Sequence, residues 1–284
     1  AKGGDFGKMI SGVFKPYMPL YLKLERAHMS DLVKKLILEE TWGRPPNAAE
    51  DADDDDDLQV LHSSGELFIY IKRSMLQCKE VDTGETMVLL SRAFGETLVK
   101  YAEQLHKHIA GLANRSKQLA PKEELSCAYI VNTCEYCGDT TEQLEASVTK
   151  HLDASLAESV TYQPVRDAFD QALSAGLGAL VASCLLKLDV AQAPLVRTRW
   201  AELESVGDQS SYVGACQTVL KETVPPLRAL LSTMYFGVLC DRIATGFFQR
   251  FQAAILKIRR VSDAGVQQLL LDTHALKTML LGVP

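Results

Sequence analysis

Cys134 and Cys137 are the residues of this 284-residue chain whose spacing comes nearest to a chemical motif. A C-x-x-C pair can cycle as a redox disulfide, or supply half of a tetrahedral zinc site when a second pair completes it. No second pair exists. The surrounding pattern gives a different account. Cys127, Ile130, Cys134, Cys137, Thr141, Leu144 and Val148 recur at spacings of 3 and 4, which is the buried seam of a helix. A free cysteine in such a seam is a small hydrophobe. Both cysteines are therefore predicted to be core, and a thiol- or metal-dependent activity would require them exposed. His106 and His108, two apart on a predicted helix, point away from each other and make a poor chelate. Asp272 and His274 diverge by roughly 200° on a helix and form no dyad. G-x-S-x-G, G-x-x-x-x-G-K-[ST], H-E-x-x-H and G-x-G-x-x-G are all absent. The residues predict no catalytic group, no metal and no cofactor.

One acidic run remains. Glu50, Asp51 and Asp53 to Asp57 place seven carboxylates within eight residues. A cation or a basic partner would find ligands there. Like charges repel, however, and nothing apolar anchors them, so the expectation is a solvated, disordered acidic loop over about 43–60.

The elements that carry these residues read as helices throughout. Strict period-two alternation persists nowhere, so strands are not supported. With 47% hydrophobic residues the chain can bury a large core. The fold class is all-α: antiparallel helices on short connections, packed as bundles. Pro16 and Pro19 should kink or split the first helical pattern, and Ser30-Asp31 should restart it. Ser63 or Ser64 should cap the next helix, whose apolar positions are Leu67, Phe68, Ile71, Met75 and Cys78. After a turn at Asp82-Thr83-Gly84, helices are predicted from Glu85 to about Ser116 and from Pro121 to about Leu152. The weakest connection, near 153–164, divides the chain into an N-terminal bundle (1–155) and a C-terminal bundle (156–284). The longest uncharged run, Gln171 to Leu186, falls short of a spanning helix and reads as a core helix. Seven scattered cysteines read as reduced thiols. A net charge of −6 argues against nucleic acid as a partner.

Charge is unevenly placed: residues 206–284 carry +3 and the rest −9. That last stretch opens with Val206-Gly207-Asp208-Gln209-Ser210-Ser211-Tyr212-Val213. It closes with Gly265-Val266-Gln267-Gln268-Leu269-Leu270-Leu271-Asp272-Thr273-His274-Ala275-Leu276-Lys277, and a long helical pattern lies between. Together with Leu67-Phe68-Ile69-Tyr70-Ile71-Lys72, Cys78, Thr83-Gly84-Glu85 and Glu135-Tyr136-Cys137, these motifs resemble the vacuolar protein sorting-associated protein 53 family. The chain looks like the C-terminal portion of that longer protein, in keeping with its opening on Ala1 rather than Met. The resemblance implies stacked helical bundles forming an elongated rod. It also implies a non-enzymatic role in the GARP and EARP membrane-tethering complexes, in retrograde transport from endosomes to the trans-Golgi network. The implied partners are other complex subunits, SNARE proteins and vesicle or Golgi membrane components. The implied location is the cytoplasmic face of those membranes.

Two surfaces are predicted from the residues. On the closing helix, Val266, Leu269, Thr273, Leu276 and Leu280 fall in one arc and should be core. Leu271 then lies opposite, among short or neutral neighbours, as at a protein interface. Gln267, Leu271 and His274, extended by Asp208, Gln209 and Tyr212, form the predicted partner surface. Farther upstream, Phe247, Phe248 and Phe251 share one side of a helix and should be core. Arg242, Arg250, Lys257 and Arg260 form a basic side for acidic partners or an acidic membrane, the latter being a rival function.

Overall fold

The computed structural model describes residues 15–43, 59–115, 118–153 and 155–282. The acidic run at 50–57 lies outside the described residues. Among the described residues there is no strand, and helices account for nearly all of the regular structure. We number the helices longer than one turn α1 (Met18–Glu39), α2 (His62–Val81), α3 (Glu85–Arg115), α4 (Pro121–His151), α5 (Gln163–Gln192), α6 (Ser211–Leu230), α7 (Thr233–Ile255) and α8 (Asp263–Leu281).

Several starts differ from the prediction. Pro19 does not break α1 but sits in its first turn, where a missing backbone donor costs nothing. The helix then runs unbroken through Ser30 and Asp31. Asp31 pairs with Lys34 at 3.0 Å instead of capping. Ser63 and Ser64 lie inside the first turn of α2 and are buried. Ser64 Oγ donates to the Leu61 carbonyl at 2.7 Å, and Ser63 Oγ bonds the Tyr101 hydroxyl at 2.7 Å. The long pattern after residue 206 resolves into three helices, α6 to α8. Pro225 and Pro226 sit within α6 and remove the donors that would serve the carbonyls of Lys221 and Glu222. Both of those residues are exposed, so water can serve them instead.

The chain forms two compact units, Ala1–Ile109 with Tyr129–Ala175, and Ala110–Ala128 with Gly176–Pro284. The dividing lines fall inside α3, α4 and α5, so each of these helices supplies residues to both units. This differs from a single cut near residue 155. The connection at 153–164 lies wholly within the first unit, for a clear reason. Glu145 accepts a hydrogen bond from the Tyr162 amide at 3.2 Å and pairs with Arg166. The buried Tyr162 hydroxyl donates to the Ser91 carbonyl at 3.1 Å. The segment that looked loosest is stapled on both sides.

Within the first unit the core includes Leu67, Ile71, Phe94, Tyr101, Ile130, Cys134 and Phe169. Thr133 of α4 accepts from the Leu61 amide at 2.9 Å and so caps α2 from a neighbouring helix. In the second unit, Glu124 of α4 accepts from Ser183 at 2.8 Å and pairs with Lys187 at 2.7 Å, fixing α4 on α5. Gly246 of α7 lets that helix close on α5, since a Cβ there would meet Leu185 Cδ1 at 2.6 Å. α5 is long and apolar enough, by length and composition, to pass as a membrane span, which the uncharged run alone did not predict. Its residues Ala172, Leu177, Leu180, Cys184 and Leu188 are buried within the protein.

Candidate interaction surface

The predicted cysteine seam is buried at every position, with Cys134 and Cys137 at 2% and 0% exposure. Burial pushes both thiols well above their ordinary range, away from the thiolate that nucleophilic or metal chemistry needs. The exposure that a thiol-dependent activity would require is not met. His108 stacks on Trp42 with ring centroids 3.7 Å apart. Among the described residues no cluster of three or more His, Cys, Asp or Glu is arranged to hold a metal.

Surfaces remain, and the second unit has a distinctive one. Its last helix, α8, begins with a cap: Ser262 Oγ accepts from the Gly265 amide at 3.1 Å. The same hydroxyl lies 2.8 Å from the Leu203 carbonyl, and the Ser262 amide donates to the Trp200 carbonyl at 3.0 Å. A Cβ on Gly265 would sit 2.6 Å from that Trp200 oxygen, so only glycine admits the approach. Trp200 is buried and its indole N–H donates to the Leu195 carbonyl at 2.8 Å.

One turn further on, two polar side chains replace the expected apolar stripe. Gln268 accepts from the Gly207 amide at 2.9 Å and donates to the Asp208 carbonyl at 2.8 Å. Asp272, fully buried, accepts from the Ser210 amide at 2.9 Å, the Tyr212 hydroxyl at 2.8 Å and Gln268 at 3.2 Å. Burial first, and then the Asp272 carboxylate, raise the Tyr212 phenol, keeping it a donor. The two C-terminal motifs are thus the two halves of one clasp, which holds the segment 207–210 against α8.

The clasp corrects the predicted face of α8. Its buried positions are Gly265, Gln268, Asp272 and Leu276. Val266 and Thr273 are exposed, and Leu269 and Leu280 are only partly covered. A stripe chosen by apolarity missed the loop backbone, whose amides and carbonyl need polar partners from α8. Of the predicted surface residues, Tyr212 is 2% exposed and belongs to the clasp. Asp208, Gln209, Gln267 and His274 are exposed, and Leu271 is 39% exposed. Gln209 and His274 line one depression of about 610 Å³, with Lys221, Val224, Pro225 and Met279.

The predicted basic residues are not all on one helix face. Arg250 is paired with Asp189 of α5. Lys257 and Arg260 follow the end of α7 rather than extending its face. Arg242 is exposed. Phe247 and Phe251 are buried, with stacked rings 6.0 Å apart, whereas Phe248 is 60% exposed and not core. A single-residue step turns a side chain by about 100°, which carries Phe248 off the packed face.

No protein-family model matches the chain. It is 34% identical over 293 residues to vacuolar protein sorting-associated protein 53 A of Arabidopsis thaliana, covering 99% of this chain and 34% of that protein. It is 24% identical over 303 residues to the vacuolar protein sorting-associated protein 53 homolog of Caenorhabditis elegans, covering 99% of this chain and 37% of the relative. The chain therefore spans about a third of the length of the curated relatives it matches. The crystal structure of the C-terminal domain of the exocyst subunit Sec6p superimposes with a TM-score of 0.78 at 13% identity. All of this chain and 73% of that domain are covered, a likeness of fold.

Proposed function

We propose that this chain, homologous over 99% of its length to proteins named vacuolar protein sorting-associated protein 53, is the C-terminal helical region of a subunit of a multisubunit vesicle-tethering complex. It acts without catalysis, through protein–protein contacts. Its route is endosome-to-Golgi retrograde transport, within complexes of the GARP and EARP type. Its partners are other complex subunits, SNARE proteins and vesicle or Golgi components at the cytoplasmic face of trans-Golgi and endosomal membranes. The observation that carries this reading is the homology along the whole chain, supported by a fold shared with an exocyst subunit domain.

The contact surface is the exposed flank of α8, Gln267, Leu271 and His274, continued by Asp208 and Gln209. The clasp holds the segment 207–210 against that helix, so its exposed side chains are presented in a fixed place. A leucine flanked by neutral residues, on a helix whose buried stripe is taken up by the clasp, suits a protein partner. The test is a parallel pull-down with the chain and its Leu271→Asp variant, against the other complex subunits and SNARE domains. Leu271 is partly exposed, so the variant is expected to keep wild-type helicity and melting temperature while losing capture of at least one partner. Unfolding of the variant would make Leu271 core, and undiminished capture of every partner would leave the surface idle.

A second reading, peripheral binding to acidic lipid, gains one observation: Phe248 is exposed. It loses another, because Arg250 is engaged by Asp189. Binding to acidic liposomes that survives high salt and vanishes in Phe248→Ala would favour it.

A further inference from the structure

A groove of about 590 Å³ runs between α7 and α8. Phe247, Phe251 and Leu276 are buried at its floor. Its rims carry large apolar side chains open to solvent: Phe248, Leu256 and Leu281 are 60%, 78% and 75% exposed. Phe248, Gln252 and Leu256 follow one another at intervals of four, as do Thr273, Lys277 and Leu281 on α8. Residues at that interval stack along one side of a helix. Two such ridges with an apolar trough between them are what a helical bundle presents where one more helix would pack.

The charge that lines the trough is positive. Among the described residues Lys277 lines it and no carboxylate does. Immediately beyond Leu256 come Lys257, Arg259 and Arg260, all three exposed and making no ion pair among the described residues. In a chain of net charge −6 this cationic border is a local feature.

We propose that the α7–α8 groove docks an amphipathic helix of a protein partner, with its apolar face in the trough and an acidic flank against Lys277 and the Lys257–Arg260 segment. The shape is concave, so it receives a ridge of side chains rather than a flat lipid surface. A second copy of this chain would bring the same cations toward each other. None of Gln267, Leu271 or His274 lines this groove, so the proposal stands or falls apart from the α8 flank assigned above.

The experiment uses the whole 284-residue chain and fluorescein-labelled helical peptides of 19 residues, the length of α8. One peptide carries leucines at the a and d heptad positions and glutamates on the flanks. The second has lysine in place of each glutamate, and the third is a scramble of the first. Fluorescence anisotropy should show saturable binding of the glutamate peptide and at least about tenfold weaker binding of the other two. Phe248→Asp and Leu256→Asp alter exposed side chains, so both should melt like the wild type while weakening the glutamate peptide about tenfold. Lys277→Glu should weaken that peptide and strengthen its lysine twin. Absence of binding, or equal binding of all three peptides, overturns the proposal. A dimer in light scattering that Leu256→Asp abolishes would assign the groove to a second copy. Salt-resistant binding to phosphatidylserine vesicles that Phe248→Asp abolishes would assign it to lipid.

Discussion

Replacing Asp272 tests the clasp most directly. In Asp272→Ala the Ser210 amide and the buried Tyr212 hydroxyl lose their acceptor, while Gln268 keeps the Asp208 carbonyl. A buried donor left without a partner costs about 1–3 kcal/mol, so the loss of two should cost the variant about 2–6 kcal/mol. Asp272→Asn should cost only about 1 kcal/mol. Its amide oxygen can still accept from Ser210, and its N–H can donate to a rotated Tyr212 hydroxyl, so only the charge assistance disappears. Tyr212→Phe should cost about 1–2 kcal/mol. The double variant Asp272→Ala/Tyr212→Phe should fall short of the summed losses by about 1 kcal/mol or more, because it removes both ends of one buried bond. Urea unfolding followed by far-ultraviolet circular dichroism, extrapolated linearly to water, gives each value. If Asp272→Ala lies within about 0.5 kcal/mol of the wild type, or the double variant is additive, the clasp does not stabilise this unit.

Three further outcomes are expected. Cys134→Ala removes a buried sulfur and should cost on the order of 1 kcal/mol, with metal content by mass spectrometry unchanged; zinc that is stoichiometric in the wild type and lost in the variant would refute the core assignment. Gly265→Ala forces a Cβ against the Trp200 carbonyl and should destabilise by about 1–3 kcal/mol, whereas Gly214→Ala, in α6 with nothing within 4 Å, should stabilise by about 0.5–1 kcal/mol; calorimetric melting of both variants decides. Burial raises the thiols of Cys78, Cys127, Cys184 and Cys216 to about 12, against about 8.5 in an unfolded chain. The native state thus keeps protons that the unfolded state releases, and stability present in full below about pH 8.5 should fall as pH rises toward 12, by up to about 1.4 kcal/mol per pH unit for each thiol. A melting temperature that stays flat between about pH 7 and pH 10.5 would contradict this.

Spacing showed the all-helical class and the cysteine seam, because an apolar period of 3 to 4 is sufficient to define a buried helical face. Cys127 through Val148 behave accordingly. The face of α8 was not legible in the same way. Its buried polar residues answer to backbone groups some sixty positions earlier in the chain, and hydrophobic periodicity carries no information about such a partner. Gln268 and Asp272, four apart on either side of three leucines, were the available signal. Phe248 misled for the converse reason: its type suits a core, but its position on α7 leaves it 60% exposed. The boundary near residue 155 looked weak because its sequence is turn-rich, yet Glu145, Arg166 and Tyr162 fasten it through side chains. Ser63 and Ser64 look like caps in isolation, and only Tyr101 shows that the first is buried.

The clasp also has a consequence in time. Ser210 and Asp272 stand 62 positions apart, so their bond closes a ring that holds all of α6 and α7. Ring closure over such a span is entropically costly and comes only after the enclosed helices have compacted. Contacts absent from the folding transition state act on the unfolding rate. Loss of Asp272 should therefore steepen escape from the native state while leaving the approach to it nearly unchanged, a difference visible in the two limbs of a denaturant chevron. In that respect the ring of hydrogen bonds serves this unit as a non-covalent crosslink, delaying its opening in a chain six of whose seven thiols are buried.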